Sequence, residues 1–298
     1  MKIKAAALAL LLLATPAGAA TIADVQTAYD AGDFATALSE VKPLAEAGDV
    51  VAMRLIGLMY RNGQGVAADT DTAIDWLTRA ADKGDAPAQY ALGMIWLDQK
   101  DARYDYAKGE GLLRQAAEAG LADAQFNMGL LASGAFGNPP DMASAADWFR
   151  KAAAQGQVAA EYNLGVLYLE GQGVPKDAVK AASLIGNAAE KGNTDAMMDY
   201  GILVFRGEGV QQSEKIGAQW LILAAKRGNP IAQNRAARLY LFGKGVPADV
   251  VEAMKWNILA SKAGRADAEL DSTLAKLTDA QKQEAQARAD AFKPLRVE

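Results

Sequence analysis

The sequence predicts an all-α protein, an α/α solenoid whose helix pairs stack in a right-handed superhelix. The first observation is a glycine that recurs seven times at an unbroken spacing of 36 residues. A fixed period in this range is typical of a repeat array. The second observation is that several other residue types keep the same period. The periodic glycines are Gly48, Gly84, Gly120, Gly156, Gly192, Gly228 and Gly264.

Small and large apolar residues occupy two further columns of this period. Small residues let neighbouring helices approach closely, and large ones fill the space between helix layers. We therefore expect the tryptophans, Trp148 and Trp220 among them, to be buried. Apolar residues make up 51% of the chain with almost no strand-type alternation, which favours helices. The columns are Ala52, Ala88, Ala124, Ala160, Ala196, Ala232 and Ala268, and Trp76, Leu112, Trp148, Leu184, Trp220 and Trp256.

Each repeat is predicted to contain two helices, helix A and helix B. Helix A follows the periodic glycine, and in the second full repeat it is predicted from Asp85 to about Gln99. Helix B begins at a column of N-cap residues, whose side-chain oxygens accept from the free amides of the first turn. The periodic glycine closes helix B as the C′ residue, where a positive φ favours glycine. The N-cap column is Asp69, Asp105, Asp141, Asp177, Ser213 and Asp249.

Four turns between helix A and helix B share the pattern Gly-x-Gly-Val. Such a turn is either a phosphate-binding loop or a helix-to-helix turn with two positive-φ positions. A dinucleotide-binding loop needs a preceding strand and a third glycine, and the sequence offers neither. The pattern therefore favours the helix-to-helix turn. These turns are Gly63–Val66, Gly171–Val174, Gly207–Val210 and Gly243–Val246.

The repeat resembles the Sel1-like repeat, a relative of the tetratricopeptide repeat. The resemblance rests on Ala-x-x-x-Leu-Gly, as in Ala88–Gly93 and Ala160–Gly165, followed by an aromatic residue, Gly-x-Gly-Val and Ala-x-x-Trp-x-x-x-Ala-Ala. It covers residues 49 to 276, with six full repeats and part of a seventh. The resemblance implies a solenoid that presents a binding surface without naming its ligand.

The chain is predicted to contain four segments. Residues 1–20 form a cleavable signal peptide, and residues 21–47 form a tetratricopeptide-like helix pair. Residues 48–276 form the repeat array, and residues 277–298 form a C-terminal capping helix and tail. Thr278 and Gln281 have the spacing of a capping box, which predicts the start of that last helix.

The first 20 residues have the three parts of a secretory signal. Lys2 and Lys4 form a basic start, residues 5–14 are apolar, and Ala17-Gly18-Ala19 supplies small residues for cleavage. An apolar run of about ten residues is too short to span a bilayer, although a retained anchor is the alternative. We expect a periplasmic or secreted protein that starts near Ala20 or Thr21 and has no transmembrane segment.

Composition excludes several functions for such an exported chain. Lys and Arg total 31 against 36 Asp and Glu, and loss of Lys2 and Lys4 leaves 29 against 36, a net charge of −7. This acidic balance disfavours nucleic acid and anionic lipid as partners. The chain has no histidine and no cysteine, which removes the usual zinc ligands and most nucleophilic arrangements. We expect no metal site, no cofactor and no enzymatic activity.

Two catalytic alternatives stay open at this point. Ser39 and Lys42 match the Ser-x-x-Lys motif of penicillin-recognising enzymes, but the companion motifs Ser-Asp-Asn and Lys-Thr-Gly are missing. A pair of carboxylates could hydrolyse glycosides, but most acids fall at helix caps or on exposed faces.

An apolar stripe on the A helices is the main binding candidate. Tyr90 lies about 200° around its helix from Ala88, so these helices are apolar on two sides. In tetratricopeptide-like folds that second side lines a concave groove, and basic residues at its ends would suit an acidic amphipathic partner. The alternative is that the stripe is inter-repeat core. The candidates are Tyr90, Met94, Leu97, Phe126, Tyr162, Leu169, Phe205 and Leu241, with Arg54, Arg61 and Arg238.

Two turns depart from the Gly-x-Gly-Val pattern and form a second candidate. One contains Tyr104 and Tyr106, and the other contains Phe136. Departures within a strict repeat mark either a contact site or drift without function.

The function predicted from the sequence is that of a periplasmic adaptor or regulator that binds a partner protein or peptide. The resemblance implies one concrete version, a regulator that binds the outer domain of a membrane sensor kinase. The alternatives are binding or hydrolysis of a cell-wall ligand, such as a β-lactam or a peptidoglycan fragment, and an exported effector that binds host proteins. We expect a monomer.

Overall fold

The computed structural model describes residues 20–295, so the predicted signal peptide lies outside the described residues except for Ala20. Within this range the chain forms 16 α-helices and no strand, which confirms the all-α prediction. The chain divides into two compact units, one ending at Leu112 and the other beginning at Leu113. The boundary falls inside a helix, Tyr106–Glu118.

The N-terminal unit contains the opening helix pair, the first repeat and most of the second. Thr21 caps the first helix in a capping box, and Gly32 has a φ of 76° in the turn to the second. The helices are α1 (Ile22–Asp30), α2 (Phe34–Glu46), α3 (Val50–Asn62), α4 (Thr70–Ala81), α5 (Ala86–Trp96) and the first part of α6 (Tyr106–Glu118).

The C-terminal unit holds the remainder of α6 and ten further helices. In each full repeat of this unit, helix A packs against the helix B that follows it. The helices are α7 (Ala122–Ala132), α8 (Met142–Ala154), α9 (Val158–Glu170), α10 (Ala178–Glu190), α11 (Thr194–Arg206), α12 (Glu214–Lys226), α13 (Pro230–Phe242), α14 (Val250–Lys262), α15 (Ala268–Leu274) and α16 (Asp279–Asp290).

The predicted caps of helix B are confirmed at both ends. Asp141, for example, accepts from the Ser144 amide at 3.1 Å at the start of α8. At the end of α8, Gly156 has a φ of 84° and its amide donates to the Ala153 carbonyl at 2.9 Å. The Gln157 amide donates to the Ala152 carbonyl at 3.2 Å, which completes a Schellman motif. Glycine recurs here because the left-handed conformation is costly for other residues.

The Gly-x-Gly-Val turns attach the repeats that carry them to the preceding helix pair. Gly207 and Gly209 both have positive φ, 74° and 71°, as the helix-to-helix interpretation requires. A Cβ atom on Gly209 would lie 1.9 Å from the Ala178 carbonyl oxygen at the start of α10. The same approach to the first turn of the preceding helix B occurs at Gly173 and Gly245, with 2.1 Å and 2.3 Å. The second glycine is therefore required by close contact as well as by φ.

Helix A is shorter in the two repeats that lack this turn. Helix α5 ends at Trp96, so the predicted end near Gln99 is wrong. Its C-cap is Leu97 in the right-handed region, whereas α9, α11 and α13 end on a left-handed glycine. Helices α5 and α7 have 11 residues instead of 13, and longer loops keep the repeat length constant.

The tryptophan column does not form the core as expected. Trp148 and Trp220 are only half-buried, and the Lys151 ammonium lies 4.0 Å from the centre of the Trp148 ring. The next residue along the helix is the buried one, with Phe149 2% exposed and Leu221 4% exposed. One residue turns the side chain by about 100° around the helix. This step moves the tryptophans to the edge of the helix interface.

The last helix B is the exception, because the C-terminal helix covers it. Trp256 is fully buried, and its ring meets that of Phe292 edge to face at 5.5 Å. The following position holds Asn257, which is 5% exposed and donates to Asp271 at 2.6 Å. Thr278 caps α16 in the predicted capping box.

Candidate protein-binding surface

The predicted stripe lies at the border between core and solvent. In the C-terminal unit Tyr162, Leu169, Phe205 and Leu241 are partly buried and pack against the hydrophobic core. Phe126 is also partly exposed, and its ring lies 5.8 Å from that of Phe149. In the N-terminal unit Tyr90 and Met94 are partly exposed. Each of these side chains therefore packs on the core with one side and faces solvent with the other, so neither the groove nor the core interpretation is complete by itself.

Leu97 is not accessible, so its expected place in the groove is wrong. It is 2% exposed, and a Cβ atom on Gly109 of helix α6 would lie 2.6 Å from its Cγ atom. The reason is the early end of α5. Leu97 is the C-cap residue there, and its side chain packs under α6 instead of continuing the stripe.

The predicted basic residues mostly connect one repeat to the next. Arg54 forms an ion pair with Asp85, the N-cap residue of α5. Arg238 binds Asp267, the N-cap residue of α15, at 2.8 Å and Glu269 at 2.9 Å. Arg61 is exposed in the last turn of α3. Arg54 and Arg238 therefore fix the N-terminal ends of the A helices α5 and α15.

Tyr162 and Asp199 connect α9 to α11 through a half-buried hydrogen bond. The Tyr162 hydroxyl donates to Asp199 Oδ2 at 2.9 Å. Burial raises the pKa of the Asp199 carboxyl, and the hydrogen bond from Tyr162 opposes this shift. Burial also raises the pKa of the Tyr162 hydroxyl, with the charge of Asp199 adding to it. The hydrogen bond ties the Tyr162 hydroxyl of α9 to α11 and so orients this side chain of the stripe.

A cavity opens between α11, α12 and α13. Its volume is about 210 Å³. Gly217 allows α12 to approach Phe205 closely, since a Cβ atom there would lie 2.7 Å from Phe205 Cβ. The walls are mainly apolar, and three arginines are among the lining residues. The lining residues are Ile202, Phe205, Arg206, Leu221, Arg235, Arg238 and Leu239.

Arg206 and Arg235 in this lining were not among the residues predicted from the sequence. Their columns offered a signal, because none of the equivalent positions in the other five repeats is basic. The Arg235 column reads Leu55, Ala91, Asn127, Asn163 and Asp199 in the preceding repeats. The Arg206 column reads Asn62, Asp98, Gly134 and Glu170 before it and Phe242 after it.

Arg103 holds the irregular turn that contains Tyr104 against the preceding helix B, α4. Arg103 donates to Asp71 at 2.8 Å and to Asp101 at 3.0 Å. Tyr104 is 39% exposed, while Tyr106 and Phe136 are half-buried. In the regular repeats the second glycine of the turn contacts the first turn of the preceding helix B, and here the ion pair of Arg103 with Asp71 makes that connection instead.

The described residues bring together no group of three or more metal-ligating side chains. Ser39 is exposed within α2, and its hydroxyl donates to the Thr36 carbonyl at 2.9 Å. Over residues 20–295, no helix combines the length and apolar character needed to cross a bilayer.

Comparison with known families agrees with this architecture. The family model described as Sel1 repeat matches six consecutive segments, residues 50–85, 86–121, 122–157, 158–193, 194–229 and 230–264. The chain belongs to the Sel1 repeat family. Proteins of this family generally mediate protein–protein interaction and are typically non-catalytic scaffolds.

Two solved structures illustrate the similarity. A Sel1 repeat protein from Oxalobacter formigenes is 31% identical, with a TM-score of 0.72, and the match covers 82% of this chain and 100% of that one. A protective antigen of uropathogenic Escherichia coli strains, which displays an SLR fold, is 25% identical with a TM-score of 0.58. That match covers 91% of this chain and 68% of the antigen. No curated protein matches the chain.

Proposed function

We propose that this Sel1 repeat protein is an exported scaffold that binds a partner protein or peptide in the periplasm through the A helices of its C-terminal unit. The main support for this proposal is the cavity between α11, α12 and α13, which is lined by apolar side chains and three arginines. Interfaces are enriched in aromatic residues and arginine, and a few such anchors supply most of the binding energy. Phe205, Tyr162 and Arg206 are side chains of these types, and each retains exposed surface.

Location in the periplasm is supported by the leader-like residues 1–20. The acidic balance of the chain disfavours nucleic acid as the partner.

Site-specific photo-crosslinking tests this function. A photoreactive residue is placed at Phe205 or at Tyr162, and a matched control carries it at Val179, which is 67% exposed on the helix B α10. We expect the same partner to be trapped in the periplasm from Phe205 and Tyr162 and not from Val179. A trapped sensor kinase would support the regulator version. Equal trapping from all three positions, or none, would contradict the proposal.

A further inference from the structure

The cavity between α11, α12 and α13 has a charge imbalance that its own residues do not resolve. Arg238 is neutralised by Asp267 and Glu269, at 2.8 Å and 2.9 Å. Within residues 20–295, neither Arg206 nor Arg235 forms an ion pair with a carboxylate. The Nε atom of Arg235 is buried and has no hydrogen-bond acceptor. A buried donor without a partner is unusual and costly in a folded protein.

The charges around Arg235 favour contact with an anion. Burial lowers the pKa of its guanidinium, and the positive charge of Arg206 lowers it further. Among the described residues, the charge of Asp199 acts in the opposite direction and raises the pKa of Arg235. However, Asp199 Oδ2 already accepts the Tyr162 hydroxyl at 2.9 Å and lies outside ion-pair distance of Arg235. A carboxylate from outside the chain would accept hydrogen bonds from both guanidinium groups. In this half-buried setting these charge-assisted hydrogen bonds would be stronger than hydrogen bonds from the same groups to water.

The size of the cavity limits what enters it. Sites for whole small molecules usually measure about 300–1,000 Å³. At about 210 Å³ this cavity is smaller, and Ile202, Phe205, Leu221 and Leu239 make its walls apolar. It fits one bulky apolar side chain better than a whole ligand. One residue of a bound peptide could supply such a side chain, and the residues next to it in the peptide would then lie at the rim of the cavity.

Resting on the proposed function, we propose that this cavity receives one bulky apolar side chain of an acidic peptide segment. The acidic side chains flanking that residue in the peptide pair with Arg206 and Arg235. The partner is therefore a protein segment in which Asp or Glu alternates with large apolar residues.

Fluorescence anisotropy with a defined peptide tests the inference. The probe is a fluorescein-labelled peptide of three Glu-Leu-Glu-Phe units with an amidated C-terminus. Matched peptides carry Gln for Glu, or Ala for Leu and Phe, and a fourth has a free C-terminal carboxylate. We expect the acidic probe to bind, and both substituted peptides to bind at least about tenfold more weakly, because each loses charge-assisted hydrogen bonds or the buried anchor.

Variants of the protein locate the site. Arg206→Gln and Arg235→Gln should each weaken binding about tenfold, and Ile202→Phe should weaken it by narrowing the cavity. Arg150→Gln is the matched control, because Arg150 pairs with Asp147 on α8, away from the cavity lining. Circular dichroism melting curves verify that each variant is folded. Arg206→Gln is the variant least able to disturb folding, because Arg206 is exposed.

Three results would overturn the inference. They are no binding of the acidic probe, equal binding of the Gln peptide, and unchanged binding in both arginine variants. Binding of the free-carboxylate peptide alone would show recognition of a chain terminus, which also contradicts it. Crosslinking from Phe205 separates this failure from that of the proposed function. If the arginine variants still trap the partner there, the scaffold function stands and the acidic peptide is wrong.

Discussion

The Lys191 ammonium donates to the buried carboxylate of Glu161 at 2.6 Å, from the end of α10 back to α9. The equivalent positions one repeat earlier hold Gln125 and Gln155, whose side chains hydrogen-bond at 2.8 Å. One repeat later Met197 replaces the polar residue, and the Arg227 side chain donates to the Gly192 carbonyl at 2.7 Å instead. Two successive repeats thus fill the same buried location with different side-chain pairs, each 30 residues apart in the sequence, and the next repeat replaces the pair with an apolar side chain and a hydrogen bond to the backbone.

The first prediction follows from this relationship. Lys191→Met leaves the Glu161 carboxylate buried without a cation and should lower the free energy of unfolding by about 1–3 kcal/mol. The double change Glu161→Gln with Lys191→Gln recreates the neighbouring pair and should recover most of the loss. Urea unfolding measures both. Lys180→Met is the control, since its pair with Asp177 is exposed and should contribute at most about 1 kcal/mol. Equal effects of the two lysine changes would show that burial of Glu161 is unimportant.

The second prediction separates backbone conformation from contact at glycine. Gly156→Ala meets open space, so it should cost only the left-handed penalty of about 1–2 kcal/mol. Gly209→Ala adds a clash with the Ala178 carbonyl oxygen and should cost about 1–3 kcal/mol more. Both have positive φ, at 84° and 71°, which makes them a matched pair. Chemical denaturation gives the comparison, and identical losses would mean that the turn does not dock on the preceding helix.

The third prediction concerns the aromatic residues of helix B. Phe149→Ala and Trp256→Ala should each destabilise the chain by about 3–5 kcal/mol, because both side chains are buried. Trp148→Ala should cost clearly less, since its ring is half-exposed under Lys151. Thermal and urea unfolding of the three variants test this order. A larger loss from Trp148→Ala than from Phe149→Ala would contradict the observed orientation of the helix.

The fourth prediction concerns acid. The Asn234 amide, the Leu270 backbone amide and Arg238 lower the pKa of Asp267 to about 2 in the folded chain, below about 3.9 for an unfolded Asp. A depressed folded pKa gives stability that is present above the unfolded value and is lost as the pH falls toward 2. Asp267→Asn should therefore reduce stability near neutral pH, and its difference from the natural chain should shrink between about pH 4 and pH 2. Unfolding measured across that range gives the answer, and a constant difference would refute the assignment.

The fifth prediction concerns export. The leader-like residues 1–20 predict a mature chain that begins near Ala20 or Thr21. Intact-mass measurement of protein from the periplasm should find this shortened species. Recovery of a chain that still begins at Met1 would indicate a retained anchor or no export.

Local signals in the sequence determined the repeat and most helix ends. The spacing of 36 residues, the cap at Asp141 and the glycine at Gly156 each depend on the conformation of a few adjacent residues. A positive φ or a free amide in the first turn restricts residue type wherever it occurs. These features were therefore predictable before any packing was known. The end of α5 was missed because its turn lacks that glycine signal.

Only the tertiary structure decided which face of each helix is buried and which charges meet. Phe149 rather than Trp148 enters the core because a step of about 100° decides the face, and both residues are large and apolar. Arg235 and Phe205 line the same cavity, and Lys191 binds Glu161. The residues of each pair lie 30 apart in the sequence. Such contacts depend on how one repeat is rotated against the next, and that rotation is set by packing of the whole interface rather than by any local residue.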